Sequence, residues 1–432
     1  MEIINQEPII KVGIIVDRVV NFTLKGDYIF NGNIIPAGDY CAIFQENKIK
    51  TSFGESAASI NLTPVNDETT FTINKVLIGI GFHWENTETQ EFEGGIILIP
   101  EEDKVRILNT ITLEKYLKSV ISSEMSAMND INLLTAHAII SSSWLLSQIS
   151  GKKTKKKIES GFAESDQFNG VTAIIKWYDR EDHENFDVCA DDHCQRYQGI
   201  SRVISANAIQ AINNTRGIVL TYNNDICDAR FSKCCGGITE DFENVWQAVK
   251  IPYLVSGKDF IPENEKENTD HAFCDTTDNE VLSQILVDFD LKTTNFYQWN
   301  TEYSQEEISS IIKKKSGIDF GDIIDFEPLK RGKSGRIIKL KIIGSKKTVI
   351  VGKELEIRKW LSENHLYSSA LEIKKEFKSG SEVPVKFYFE GKGWGHGVGM
   401  CQIGAAMMSK KGYNYEQILR HYYKGTKLSK IY

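Results

Sequence analysis

At 432 residues the chain is long enough for a sizeable core and roughly two to three domains, and its 41% hydrophobic and 25% charged content is that of an ordinary globular protein rather than a disordered one. A net charge of −8 argues against a duplex-binding surface, so nucleic acid is not expected as a partner. No stretch approaches the roughly 18 to 20 apolar residues of a membrane span, and the start, MEIINQEPIIKVGIIV, lacks the basic region of a secretory leader.

In chain order, residues 1–104 alternate apolar and polar positions between turn signals, as in KVGIIVDRVVNFTL and EGGIILIPEEDKVRIL, which predicts a β-rich front end of short antiparallel strands. The period then changes. In TLEKYLKSVISSEM, Leu113, Tyr116, Leu117, Val120 and Ile121 form one helical stripe, and Glu124 stands where it ends. A second helix runs through INLLTAHAIISSSWLLSQI, and a third, SANAIQAINNTRG, is closed by Gly217. GIVLTYNNDICDARFSKC predicts a hairpin turned at Asn223 to Asp225. A mixed α/β segment over 280–372 contains the helix SQEEISSIIKKKSG and the strands SGRIIKLKIIG and KKTVIVG. The chain ends with the strand VPVKFYFEG, a glycine-rich stretch and two helical segments. The basic runs at 151–157 and 311–317 read as solvated helix ends or loops. The fold class is α+β.

Eight cysteines are few for this length, and their placement suggests metal binding more than a disulfide framework. Within HENFDVCADDHCQRYQG, residues 183–199, His183, Cys189, His193 and Cys194 supply the donor set of a tetrahedral Cys2His2 zinc site, although the spacing is not that of a zinc finger. Four protein ligands would close the shell and make the ion structural; with one histidine absent from it, water would enter and a zinc-dependent hydrolase would follow. A metal-free loop is the alternative.

Six blocks, taken in order, resemble the SpoIID/LytB family of peptidoglycan lytic transglycosylases: LEKYLKSVISSEM, AHAIISSSWLL, NTRGIVLTYN with CCGGITEDFENVW, FYQW, SGRIIKLKIIG and GWGHGVGMCQIGAAMMSKKGYNYEQILRHYYKGT. The resemblance covers about 105–432 and implies a catalytic region there, with a substrate cleft. It implies that Glu124 is catalytic. The chemistry agrees: cleaving a glycosidic bond requires a proton on the leaving oxygen, and a carboxyl in a partly apolar setting retains one near neutral pH. On its own, Glu124 would read as a surface residue past a helix. A hydrolase of the usual type needs a second carboxylate, whereas a lytic transglycosylase lets the muramic acid C6 hydroxyl attack and leaves a 1,6-anhydro end. The resemblance also implies glycan strands stripped of peptide as substrate, a cell-wall amidase as a second partner, and an extracytoplasmic location reached by a leader outside this sequence. Some family members carry zinc at a similar His/Cys segment.

The stretch GKGWGHGVGMCQIGA, residues 391–405, is expected to present Trp394 and His396 from bare backbone at Gly397 and its fellow glycines, an arrangement that suits a sugar. A tight turn with Trp394 packed inward is the alternative. Gln402 is a further candidate. The cleft is also expected to include Cys235 and Gly236 from CCGG, where the family usually has small polar residues, and Glu240, the best second carboxylate if one is needed. Cys234 and Cys235 read as two buried thiols or a vicinal disulfide. His137 is expected on a helix face near Glu124, as a substrate contact or a satisfied core histidine. A zinc-dependent hydrolase and a non-catalytic glycan-binding or amidase-activating module remain the alternative functions.

Overall fold

The computed structural model describes residues 6–80, 85–126, 129–154, 161–163, 171–178, 183–191, 193–202, 205–260, 271–285 and 295–432. Of the basic run at 151–157, the last three residues lie outside this set, as do 286–294 of the mixed segment. The chain forms two compact units: Met1–Ile149 with Asp182–Val219 and Leu428–Tyr432, and Ser150–Glu181 with Leu220–Lys427.

In the first unit, alternation becomes strand. In Ile9–Asp17 (β1), Ile10 and Val12 are wholly buried while Ile9 is 68% exposed, the period of two that a half-buried sheet requires. β1 pairs antiparallel with Lys104–Thr112 on one side and parallel with Val188–Cys189 on the other, inside a seven-stranded sheet that continues through Gly95–Glu101, Ile60–Pro64, Tyr28–Phe30 and Asn33–Ile35. A six-stranded antiparallel sheet is built from the remaining strands of the front end. Helix α1, Leu113–Glu124, buries the predicted stripe of Leu113, Tyr116, Leu117, Val120 and Ile121. It stops at Met125, which turns to extended backbone and is itself buried. Helix α2, Ile131–Thr154, is buried all round between Leu133 and Leu146, its apolar residues interspersed with the buried polar side chains of Thr135, His137 and Ser141 to Ser143. Helix α3, Ala206–Asn214, is capped by the Ser205 hydroxyl, which accepts from the Ala208 N–H at 3.1 Å.

The second unit holds the mixed segment. The helix Gln305–Ser316 opens with a capping box between Ser304 and Glu307 and closes on the left-handed Gly317. Lys313, Lys314 and Lys315 are exposed at its end, as expected of the second basic run. Its apolar face meets a core that includes Trp299, Ile342, Trp360, Phe387 and Phe389. The predicted hairpin turns at Asn223 and Asn224, both with positive φ, and pairs Thr221 with Ile226. The strand Pro384–Lys392 lies between Gln298–Ser304 and Leu371–Phe377 and delivers the chain into the glycine stretch.

One buried polar residue ties the first unit's sheet to the segment after Cys189. Asn109 is fully buried; its Nδ2 donates to the carbonyls of Glu93 at 2.8 Å and Gly95 at 3.0 Å, and its Oδ1 accepts from the Tyr197 hydroxyl. The Tyr197 ring stacks on Tyr116 of α1 with centroids 5.2 Å apart. Asn109→Leu keeps the volume but leaves three polar groups without a partner, and is expected to lower unfolding free energy by about 3 kcal/mol in a denaturant titration. A loss under about 1 kcal/mol would mean that the asparagine does not anchor this segment.

Candidate functional site

The segment 188–198 lies along α1 and is fastened to it at three points. The Tyr116 hydroxyl donates to Gln195 Oε1 at 3.2 Å, the Gln198 N–H donates to the Ser119 hydroxyl at 3.0 Å, and the Arg196 N–H donates to Glu124 Oε1 at 2.9 Å. Glu124 is the last residue of α1, half-buried beside the buried Ser123 and Met125. Its carboxyl is half-buried, and one oxygen is oriented by a backbone donor. His137 also lies in this unit, but it is fully buried in α2, where its Nδ1 is 3.3 Å from the Ser141 hydroxyl. Gln195 reaches the same place, donating to the Ser141 carbonyl at 3.4 Å. His137 is thus a core residue, which corrects its place among the substrate contacts: α2 is buried on every side between Leu133 and Leu146, which leaves it no outward face.

Just before Arg196 the four metal-type donors converge. Cys194 Sγ is 3.6 Å from His183 Nε2 and 3.7 Å from His193 Nδ1, Cys189 Sγ is 3.9 Å from His193 Nδ1, and the four donor atoms lie within 4.8 Å of one another. A tetrahedral zinc ion with bonds of about 2.0–2.3 Å separates its ligands by about 3.3–3.8 Å, so these residues fit the ion. Hydrogen bonding with Cys194, then His183 and His193, outweighs burial and pulls the Cys189 thiol down to about 2, as suits a thiolate ligand. The cluster is rooted in the sheet through the parallel pairing of Val188–Cys189 with β1, and His183 stacks on Phe186 at 4.3 Å.

The second unit holds the other predicted residues, and here the arrangement departs from expectation. The group that closes on the bare backbone of the glycine stretch is the chain's own Arg336. A Cβ at Gly397 would stand 2.5 Å from its guanidinium, and one at Gly399 would stand 1.8 Å from the Arg230 carbonyl. Arg336 is wholly buried; its Nη1 donates to the Cys235 carbonyl at 3.0 Å, and Nε and Nη2 donate to the Gly395 carbonyl at 3.2 and 2.9 Å. The guanidinium thus joins the CCGG loop to the GWGHG loop, whose backbones also pair directly at Cys234 and Trp394. Gly236 belongs to this contact, since a Cβ there would meet the Gly393 nitrogen at 3.0 Å.

His396 is half-buried, and its ring is engaged by this frame. Its Nδ1 accepts from the Val398 N–H at 3.0 Å, the ring meets Trp246 edge-on at 4.9 Å, and it also bonds to the Phe231 backbone. Burial, with Arg230, Arg336 and Arg358 nearby, drives its pKa well below the ordinary imidazole value, so the ring is neutral. Trp394 is half-buried between Phe296 and Tyr367, with centroids 4.8 and 4.3 Å away. Gln402 is 2% exposed at the start of the helix Gln402–Lys410.

Glu240, expected as a second carboxylate, is 1% exposed and engaged: Oε1 accepts from the Asp241 N–H and Asn244 Nδ2, and Oε2 accepts from the Ser334 hydroxyl. Its own N–H donates to the Gly397 carbonyl at 2.8 Å, so this residue also braces the glycine stretch. It is a structural carboxylate, and Cys235, 1% exposed beside the equally buried Cys234, is likewise internal. Sequence reasoning missed Arg336 altogether: it stands in SGRIIKLKIIG, where nothing local distinguishes it from a strand-end surface arginine.

Residues 101–222 match the family model described as stage II sporulation protein (SpoIID), and residues 240–399 match a domain of unknown function, DUF8618. The chain is 27% identical over 246 residues to the amidase enhancer of Bacillus subtilis, a match that covers 52% of this chain and 33% of that protein. It is 26% identical over 324 residues to the stage II sporulation protein D of Bacillus subtilis, covering 74% of this chain and 76% of the relative. An uncharacterised protein of Brachyspira hyodysenteriae is 25% identical over 335 residues, 78% of this chain and 71% of its own length. The chain thus spans about a third of the length of the amidase enhancer and about three quarters of the other two. Glu124, the segment that orients it and the four-donor cluster all fall within residues 101–222, the region that is similar to the SpoIID family.

Proposed function

We propose that the chain is a cell-wall lytic transglycosylase that cleaves glycan strands between muramic acid and glucosamine residues, with Glu124 as acid and then base. The observation that carries this reading is the half-buried Glu124 carboxyl at the end of α1, with Oε1 held by the Arg196 N–H. In the first step the protonated carboxyl donates to the leaving glycosidic oxygen while the bond to the anomeric carbon breaks. In the second, the resulting carboxylate takes the proton of the C6 hydroxyl as that oxygen bonds to the anomeric carbon, closing the 1,6-anhydro ring and restoring the acid. One carboxylate suffices, and this is consistent with Glu240 being internal and engaged.

The amidase enhancer among the relatives supports a cell-wall amidase as the second partner, since a glycan stripped of peptide is the substrate proposed here. Such a substrate places the protein outside the cytoplasmic membrane; among the described residues no helix is long and apolar enough to cross one. His183, Cys189, His193 and Cys194 would hold a zinc ion whose chemistry is structural, because four protein donors complete a tetrahedral shell. The chain's own contribution is to fix the turn that presents the Arg196 N–H. The zinc-dependent hydrolase reading is weaker because all four donors already converge.

Three outcomes follow. Glu124→Gln should cut release of soluble glycan from amidase-stripped strands by at least about 100-fold while strand binding in a sedimentation assay persists; undiminished release would remove Glu124 from the chemistry. Cys194→Ser should lower zinc content and reduce turnover by about 10-fold or more through loss of the Arg196 donor's position, whereas full activity in zinc-depleted protein would separate the cluster from Glu124. Arg336→Met leaves the Cys235 and Gly395 carbonyls without their donor and should destabilise the protein by about 3 kcal/mol in thermal or denaturant unfolding; an unchanged transition would show the guanidinium is not what joins the two loops.

A further inference from the structure

A second set of metal-type donors lies in the unit formed by Ser150–Glu181 and Leu220–Lys427, and neither the transglycosylase reading nor the zinc segment uses it. Cys235, Asp259, Cys274 and Cys401 are all buried, and each offers one donor atom within 4.8 Å of the others. Cys235 Sγ and Cys274 Sγ are 3.6 Å apart, and Cys401 Sγ accepts from the Cys235 N–H at 3.2 Å. The Asp259 carboxylate is completely buried; Oδ1 accepts from the Tyr422 hydroxyl at 2.6 Å and Oδ2 from the Cys274 N–H at 3.0 Å, with His421 Nε2 3.8 Å from Oδ1.

A buried carboxylate is costly without a positive partner, and here three thiols, themselves metal donors once ionised, lie within 4.8 Å of it. A tetrahedral ion with bonds of about 2.3 Å to sulfur and about 2.0–2.2 Å to oxygen needs its ligands about 3.5–3.8 Å apart, the spacing seen between Cys235 and Cys274. Thiolate with carboxylate selects a zinc-type ion over magnesium or calcium. The carboxylate is also oriented in the way metal ligands are, by hydrogen bonds to its two oxygens and by close packing: a Cβ at Gly404 would stand 2.4 Å from the Tyr422 hydroxyl and 2.6 Å from Asp259 Oδ1.

We propose that Cys235, Cys274, Cys401 and Asp259 form a second, closed structural site for a zinc-type divalent cation. Its ligands come from the CCGG loop, from the two sides of the segment between Asp259 and Cys274, and from the residue that opens the helix Gln402–Lys410. Cys401 also pairs with Ser232 in the short parallel ladder Phe231–Ser232 with Met400–Cys401, so the ion would fasten the end of the glycine stretch to the CCGG loop that Arg336 joins from elsewhere. The site is independent of the transglycosylase reading.

The test counts metal on the full chain purified without chelator. Two zinc ions per chain are expected, and His183→Ala/Cys194→Ser should keep one. On that background, Cys274→Ser and Cys401→Ser should lose the remaining ion, while Cys227→Ser, a buried thiol outside the set, should retain it. Cobalt added to the metal-stripped background protein should give thiolate charge-transfer absorption in the near ultraviolet, which Cys274→Ser weakens and Asp259→Asn shifts. The proposal is overturned if the unaltered chain holds no more than one zinc ion and the background protein takes up neither zinc nor cobalt. It is equally overturned if intact mass and peptide mapping reveal a Cys235–Cys274 disulfide in place of metal.

Discussion

The hydrogen bond from the Arg196 backbone to the Glu124 carboxylate is the contact on which the proposed chemistry depends. It joins two stretches far apart in sequence and needs both to be rigid. On one side, α1 is fixed because its apolar stripe is buried and its end is set by Met125 leaving the helix. On the other, the segment 188–198 is fixed three times over: by pairing with β1, by the Tyr197 ring stacked on Tyr116 and bonded to Asn109, and by the Gln198 bond to Ser119. The four-donor cluster stands immediately before Arg196, where an ion would stiffen the turn that aims this N–H.

The second unit follows the same logic with a cation instead of a carboxylate. Burying Arg336 is acceptable because its donors meet the Cys235 and Gly395 carbonyls. Glycine at 397 is then a requirement of shape, since any side chain would occupy the guanidinium's place. His396 and Glu240 belong to the same frame: the neutral imidazole accepts from Val398, and the carboxylate is satisfied by Asp241, Asn244 and Ser334. The glycine-rich stretch is built first to pack against its own chain.

Much of this is legible in the sequence where the governing interaction is local. The stripe in TLEKYLKSVISSEM places α1 and leaves Glu124 at its end; the Ser304 cap and Gly317 bound the helix between them; and His183, Cys189, His193 and Cys194 stand out because they crowd into twelve residues. What fails to show depends on partners distant in the chain. Nothing near Arg336 in RIIKLK marks it as buried, and the pattern around His396 suggests a ligand-facing ring because Trp246 and Phe231, which hold it, lie far upstream. Cys235, Asp259, Cys274 and Cys401 read as separate residues until the fold gathers them.

Under the proposed mechanism, Glu124 activates the sugar's own hydroxyl rather than water. The most direct measurement is digestion of peptide-stripped glycan in water enriched in the heavy oxygen isotope, followed by mass spectrometry of the new ends. The expected ends carry no solvent oxygen and are lighter than the hydrolytic sugar by one water. Ends that carry the heavy isotope would contradict it and would make the chain a hydrolase.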